Sequence, residues 1–421
     1  MRRFDRRQVL RAAGAAAAAP YFVRASALGA GGGGPAPSDR ITMGAIGCGG
    51  RGSHDLAAFL RYRDVRVLAV CDVMADRRQR AKAAVDRQYR GSDCAAYGDF
   101  RELLARGDID AVLIATPEHW HAVHCVSAAG AGKDIFCEKP LSLTVREARA
   151  VADAVARYNR ICQVGTQQRS DGTFRHACEL VRNGRLGKLL SAETQTGGPS
   201  RPCDLPAQAV PPGLDWDMWL GPAPWAPYHP HRCQSLFDWW NWADYSGGQM
   251  TDRGAHDFDT VQWAFGMDRS GPLEIAPDPQ RDSIVYRYAG GVELLPTRRD
   301  YDGRGWTAKV TFRGTAGTLS VWRGGMTSEP AGLARSQIGP DEVHLYRSDD
   351  HPGNFLAGVR TRKPCVADAE TACRSVTVCH VGNICYELGR SLRWDPAAER
   401  FIADDEANRL LDRPKRQPWR L

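Results

Sequence analysis

Ile41-Thr42-Met43-Gly44-Ala45-Ile46-Gly47-Cys48-Gly49-Gly50-Arg51-Gly52 is an apolar run that ends in three spaced glycines. The run predicts a buried strand, and Gly-x-Gly-x-x-Gly predicts a tight turn into a helix over Ser53–Arg61. Glycine suits this turn because backbone N–H groups must approach a pyrophosphate at the helix N-terminus. The next apolar run, Val65–Cys71, delivers Asp72, whose carboxylate suits ribose hydroxyls and repels a 2′-phosphate. The combination points to NAD, while Arg77 and Arg78 keep NADP open.

Outward from this loop, strand and helix patterns alternate. Helices are expected over Ala75–Arg87, Phe100–Ala105, Trp120–Ala129 and, capped by Thr144, over Thr144–Tyr158; strands are expected over Ala111–Ile114 and Asp134–Cys137. This order predicts a parallel, doubly wound sheet, a Rossmann domain over residues 40–160. The texture then changes. Residues 195–250 are rich in Pro, Gly and Trp, including Trp216, Trp219, Trp225, Trp239, Trp240 and Trp242. Short β-type runs at Ile284–Tyr288, Ala308–Phe312 and Thr318–Trp322 predict a mostly antiparallel sheet in a second domain, 161–421. The tail from Asn354 returns to helix and ends as an extended arm that is expected to pack back on the first domain.

A length of 421 residues suits two domains, and 43% hydrophobic with 25% charged residues is ordinary for a soluble globular chain. The net charge of +7 is concentrated at the start, where residues 1–27 carry six arginines against Asp5. The remainder is near balance, which argues against a nucleic-acid partner. Arg6-Arg7-Gln8-Val9-Leu10-Arg11, an alanine-rich stretch and Ala25-Ser26-Ala27 together predict a twin-arginine signal peptide over 1–27, followed by a glycine-rich linker over 28–39. The alanine-rich stretch is far shorter than the ~20 residues of a membrane span. Export by the twin-arginine machinery implies a periplasmic protein that crosses already folded. Thirteen cysteines, with no Cys-x-x-Cys, fit buried free thiols, although a Cys203–Cys233 bridge stays open. No Cys/His pair has ligand spacing, so no metal is expected.

Three further stretches carry chemistry. Ile135-Phe136-Cys137-Glu138-Lys139-Pro140 is a strand that delivers a lysine to the mouth of the sheet. Thr116-Pro117-Glu118-His119-Trp120-His121 follows the preceding strand, at the edge where cofactors lie. Asp252-Arg253-Gly254-Ala255-His256 places a carboxylate and an imidazole one helical turn apart. Histidine is the natural acid/base near neutral pH, and a nearby carboxylate can orient it. A structural Asp–His pair fits the same spacing, and the tryptophans suit sugar stacking or core packing alike.

On these motifs, with Gly247-Gly248 ahead of Asp252, the chain resembles the glucose–fructose oxidoreductase/inositol dehydrogenase (Gfo/Idh/MocA) family from about Arg40 to its end. The resemblance implies a Rossmann domain holding NAD(P) and a C-terminal α/β domain with a large open sheet that mediates homo-oligomerisation. It assigns cofactor contacts to Gly47, Cys48, Gly49, Gly50, Arg51, Gly52, Asp72, Thr116, Pro117, His121, Glu138 and Lys139. It makes Lys139, His256 and Asp252 catalytic, with His256 the proton acceptor and Asp252 its partner, and Arg169 a substrate contact. Glu118 departs from the Asn or Asp usual after Thr-Pro.

The activity implied is hydride transfer from a sugar, polyol or sugar derivative to the nicotinamide. Outside the cytoplasm no pool of NAD exchanges spent cofactor, so the cofactor is expected to be tightly bound and recycled within the cycle. A glycosidase that oxidises its sugar transiently and eliminates the aglycone meets the same condition. Family-109 glycosidases are similar in fold but differ at the lysine of Glu-Lys-Pro, so Lys139 favours the oxidoreductase. A non-catalytic sugar-binding protein is the third reading.

Overall fold

In the computed structural model, residues 36, 39–298 and 309–421 are described. The signal peptide expected over 1–27 and nearly all of the linker fall outside them, as does Ala308 at the head of one expected strand. The first sheet is parallel, in the order β3-β2-β1-β4-β5-β6. Its strands are β1 (Ile41–Ile46), β2 (Val65–Cys71), β3 (Ala95–Tyr97), β4 (Ala111–Ile114), β5 (Asp134–Cys137) and β6 (Cys162–Val164). Helices α1 (Gly50–Phe59), α2 (Ala75–Tyr89), α3 (Phe100–Leu104), α4 (Glu118–Gly130) and α5 (Val145–Arg157) alternate with them. The boundary expected at residue 160 is too early, because β6 lies beyond it and pairs in register with β5.

Apolar β1, β4 and β5 are covered on both sides, which is what a doubly wound parallel sheet demands of its central strands. Ile46, Val112 and Ile135 face one buried cluster, while Met43, Leu113 and Phe136 face another containing Phe59 and Phe355. Thr144 caps α5 by accepting from Glu147 N at 3.2 Å.

The second sheet has nine strands in the order β13-β12-β11-β7-β10-β9-β8-β14-β15. These are β7 (Leu189–Thr196), β8 (Glu274–Asp278), β9 (Ser283–Arg287), β10 (Glu293–Arg298), β11 (Lys309–Gly314), β12 (Gly317–Trp322), β13 (Gly325–Glu329), β14 (Leu392–Asp395) and β15 (Arg400–Phe401). Every pairing is antiparallel except β7 with β10. Helices of this half are α6 (Gly172–Arg182), α7 (Trp216–Leu220), α8 (Leu236–Trp239), α9 (Gln249–Phe265), α10 (His351–Thr361), α11 (Ala369–Leu388) and α12 (Asp405–Arg409). One face of the sheet shares a core with α6, α9 and α11 through Ile284, Tyr286, Leu294 and Phe312, together with Phe174, Phe258 and Cys379. Among the described residues, the opposite face buries a small apolar patch of Ala276, Val285 and Leu295.

The C-terminal arm lies against the first domain. Trp419 joins the first-domain cluster at a centroid distance of 4.8 Å from Trp120, and Arg416 pairs with Asp217 at 2.6 Å. Helix α11 seats on the same cluster through Ala372 and Val376, so the first domain's core is closed by the last fifty or so residues of the chain.

Candidate active site

A cleft of about 670 Å³ runs along the C-terminal ends of β1, β2, β4 and β5, with the second domain as its other wall. Ligands of open α/β sheets bind at this edge. At one end the glycines do distinct work. Gly47 has φ +86°, and a Cβ there would lie 2.7 Å from the Ala115 carbonyl; a Cβ on Gly52 would lie 1.9 Å from Gly47 O. The first glycine makes the turn and the last lets α1 pack against the strand end, so the N-terminus of α1 opens on the cleft. Gly49 and Gly50 line it with Arg51. Cys48 does not line it: its N–H goes to Asp72 and its buried thiol faces the Cys71 carbonyl.

Asp72 lines the cleft, and its carboxylate accepts from Cys48 N at 2.7 Å and Met74 N at 2.8 Å. Burial pushes this carboxyl above its ordinary range, and the two N–H donors pull it back. Each oxygen keeps a lone pair for a ribose hydroxyl. Arg77 reaches over the glycine loop, its Nη1 3.2 Å from where a Gly49 Cβ would sit, and donates to Gln234 O at 2.5 Å. The residues it grips belong to a strap, 213–239, that lies on the first domain. Ala75 N donates to Gly213 O at 2.8 Å and Asp215 N to Val73 O at 3.1 Å.

At the other end, Lys139 Nζ donates to the Asp252 carbonyl at 2.9 Å and to the Asp252 carboxylate. Glu138 accepts from Arg51 at 2.9 Å, and Arg51 also holds Asp55. Burial first, and the Glu138 charge second, lift the Asp55 carboxyl to about 8. His256 lines the cleft; its Nδ1 is buried without a hydrogen-bond partner. Burial and the positive charges of Lys139, Arg323, Arg51 and Arg253 push this imidazole well below its ordinary value. It is neutral at pH 7, the state a proton acceptor needs.

Three further expectations are corrected. Asp252 is not the partner of His256: both lie on α9, but the Asp252 carboxylate turns to the ammonium of Lys139. Arg169 does not line the cleft. It is 2% exposed, paired with Asp259 and Asp268 at 2.7 Å each, and lies over Trp263. A buried guanidinium needs charge partners, and two carboxylates of the second domain supply them. His121 is also buried away from the cleft. Its ring nitrogens face Pro140 O at 2.6 Å and Thr116 O at 2.7 Å, tying together the loops that follow β4 and β5.

Thr116, Pro117, Glu138 and Lys139 do line the cleft; Glu118 does not. Among the tryptophans, Trp219 and Trp239 line it, Trp216, Trp240 and Trp242 are buried, and Trp225 is 69% exposed. The residue reading missed His124, Gln167 and Arg323, all of which line the cleft. His124 sits one turn from Trp120 and stacks on it at 4.5 Å, a spacing that was visible; nothing local marked Arg323. No group of three metal-ligating side chains occurs among the described residues.

A Rossmann half with a glycine cradle, joined to a mostly antiparallel sheet that faces it with a lysine-bound carboxylate and a neutral histidine, defines a nucleotide-dependent oxidoreductase fold. Residues 41–166 match the oxidoreductase family's NAD-binding Rossmann fold, and residues 200–421 match its C-terminal alpha/beta domain. The chain belongs to the Gfo/Idh/MocA oxidoreductase family. A glycosyl hydrolase family 109 protein of Shewanella sp. (strain W3-18-1) is 34% identical over 158 residues, 37% of this chain and 34% of the relative. An alpha-N-acetylgalactosaminidase of Shewanella oneidensis is 33% identical over 156 residues, 36% of this chain and 34% of that protein. The chain thus spans about a third of the length of these relatives. The WlbA dehydrogenase from Bordetella pertussis, solved with NADH and UDP-GlcNAcA, superposes with a TM-score of 0.60 at 17% identity, over 85% of this chain and 99% of that one. A levoglucosan dehydrogenase, solved with NADH and L-sorbose, gives 0.60 at 19% identity, over 85% and 100%.

Proposed function

We propose that the protein oxidises a carbinol carbon of a sugar, polyol or sugar derivative with NAD, and that it keeps the cofactor through turnover. The observation that carries this reading is the pairing of a neutral His256 and an Asp252-anchored Lys139 in one cleft with the glycine cradle and Asp72. The cradle glycines, Arg51 and Asp72 would hold the dinucleotide, with Lys139 at its nicotinamide end. When bound, the nicotinamide accepts a hydride and can return it. His256 takes the hydroxyl proton as the carbon gives up its hydride. The Lys139 ammonium faces the oxygen on which negative charge grows, an effect often worth about 3 kcal/mol or more. Asp252 holds that ammonium in place.

Retention of the cofactor is supported by the strap that Arg77, Val73 and Ala75 tie over the loop. Twin-arginine export to the periplasm is supported by Arg6-Arg7 and by thirteen thiols that are all unpaired, twelve of them buried, in keeping with folding in a reducing compartment. No helix among the described residues is long and apolar enough to cross a membrane. Homo-oligomerisation through the second sheet is supported by its second face, where the described residues bury a small patch and ion pairs such as Arg313–Glu193 lie in the open.

A second reading, a glycosidase that oxidises, eliminates and reduces back, is favoured by the family-109 relatives. Incubating the purified protein, without added nucleotide, with free sugars and aryl glycosides separates the two. Exchange of oxidation state between two sugars supports the oxidoreductase. Aglycone release without net NADH supports the glycosidase. Strict dependence on added NAD, with NADH accumulating, contradicts retention in either form.

A further inference from the structure

Glu118 opens α4 at the end of β4, yet its fully buried carboxylate serves the other domain. One oxygen accepts from Ser246 Oγ at 2.7 Å; the other accepts from Gly247 N at 3.0 Å and Thr251 Oγ1 at 3.0 Å. Ser246 and Gly247 lie in the turn that leads into α9, and Thr251 is in its first turn. Ser246 Oγ in turn accepts from Gly248 N at 2.9 Å, and Thr251 Oγ1 lies 3.1 Å from Gly248 O. Gly248 has φ +79°, and a Cβ there would lie 2.3 Å from Ser200 N, so this turn has little room to settle elsewhere. A carboxylate also suits the unsatisfied N–H groups and the positive end of a helix.

The next residue after Thr251 is Asp252, which holds Lys139, and one turn further on is His256. The first domain therefore grips the first turn of α9 from two strand ends, with Glu118 after β4 and Lys139 after β5.

We propose that Glu118 is a positioning residue, which fixes the first turn of α9 so that Asp252 meets Lys139 and His256 faces the cleft. The proposal rests on Lys139 and His256 being the reacting groups of the proposed function. It assigns Glu118 a role across the domain interface, acting through Asp252 and His256 and touching neither substrate nor cofactor.

The test compares Glu118→Ala, Glu118→Gln and His256→Ala in the full chain, using the sugar or aryl glycoside of the panel that wild type turns over fastest. Glu118→Ala is expected to lower kcat by about 100-fold, the usual consequence of misplacing reacting groups by about 1 Å. Amide exchange over Gly248–Asp252, which needs no substrate, should speed by about tenfold as the turn loosens. The Kd for NAD should stay within about twofold, since no cradle contact is touched. Glu118→Gln can keep an oxygen on Gly247 N–H and turn its amide to the Ser246 hydroxyl, so kcat should recover to within about fivefold of wild type. Thr251→Val, which removes one donor, serves if Glu118→Ala does not fold, with about a fivefold fall in kcat expected.

Unchanged kcat per folded molecule in Glu118→Ala, or in Thr251→Val where that stands in, overturns the proposal. So does a parallel loss of kcat and NAD affinity that Glu118→Gln leaves unrelieved, because that pattern reports general damage. Full turnover in His256→Ala sinks the reading of the site itself, whereas loss there with none in Glu118→Ala sinks only the positioning role.

Discussion

On the first-domain wall of the cleft, Arg51, Asp72, Arg77, Glu138 and Lys139 all have partners within the protein. On the second-domain wall, His256 Nδ1 and Gln167 Oε1 have none, and next to His256 the fully buried Asp257 has both carboxylate oxygens unpaired. The difference is energetic as well as geometric. A buried polar group without a partner costs about 1–3 kcal/mol, so a fold that keeps several on one wall keeps them against its own stability. The partnered wall is a finished mould for a constant ligand. The second-domain wall, although its Asp252 is tied to Lys139, carries in His256 and Gln167 groups whose valences are left for chemistry.

The sharpest way to break that comparison is at its least satisfied group. His256→Ala is expected to lower turnover by about 10³-fold, within the range of general base catalysis, while sugar and NAD affinities persist in calorimetry. The neutral imidazole also sets the pH response. Because its folded value is depressed, the competent form survives as pH falls, and the acid limb of kcat/KM should lie below the ordinary histidine range. Lys139→Met tests the opposite wall, with about a 100-fold fall in kcat expected from loss of charge at the developing alkoxide.

Asp257→Asn tests the cost side. Burial raises Asp257 to about 7, with Arg253, Arg323 and Lys139 pulling against it. A raised carboxyl stabilises the fold below its unfolded value and loses that contribution as pH climbs through the folded one. Wild type should therefore lose stability relative to the variant between about pH 4 and pH 7, on the order of 2–4 kcal/mol by the end. Urea unfolding at pH 5 and pH 8 measures it, and a gap that does not widen contradicts the burial argument. The smallest effect is expected at Arg77→Ala. Loss of its bond to Gln234 should speed NAD release by about tenfold or less, read by dilution of the loaded protein.

How much of this was legible follows the same divide. The first domain's strands, turn and acid could be read locally, because a buried parallel strand is a continuous apolar run and the glycine loop has a fixed spacing. The second sheet hid more. The strand Leu189–Thr196 is half polar, while Glu274–Asp278 and Glu293–Arg298 each carry a proline that argues against a strand. At the site, the sequence names charges but not their partners. Arg169 is a cation until Asp259 and Asp268 are seen beside it, and Asp252 could face either His256 or Lys139. Glu118 stands out in the sequence as a departure, but its three donors lie in a segment more than a hundred residues away. Thirteen cysteines with no regular spacing suit buried thiols, and all are free, including Cys203 and Cys233.

The central claim is that a retained nicotinamide is reduced and reoxidised within one catalytic cycle beside Lys139 and His256. It is tested most directly by mixing the purified protein, without added nucleotide, either with an oxidisable sugar together with a second sugar that accepts the hydride, or with an aryl glycoside, in a stopped-flow spectrometer and following the reduced-nicotinamide absorbance. The account predicts a transient rise, never exceeding the protein concentration, that decays as product forms and is lost in His256→Ala. Product formation with no such transient, or turnover that begins only once NAD is added and leaves reduced nucleotide accumulating in proportion to it, would contradict it.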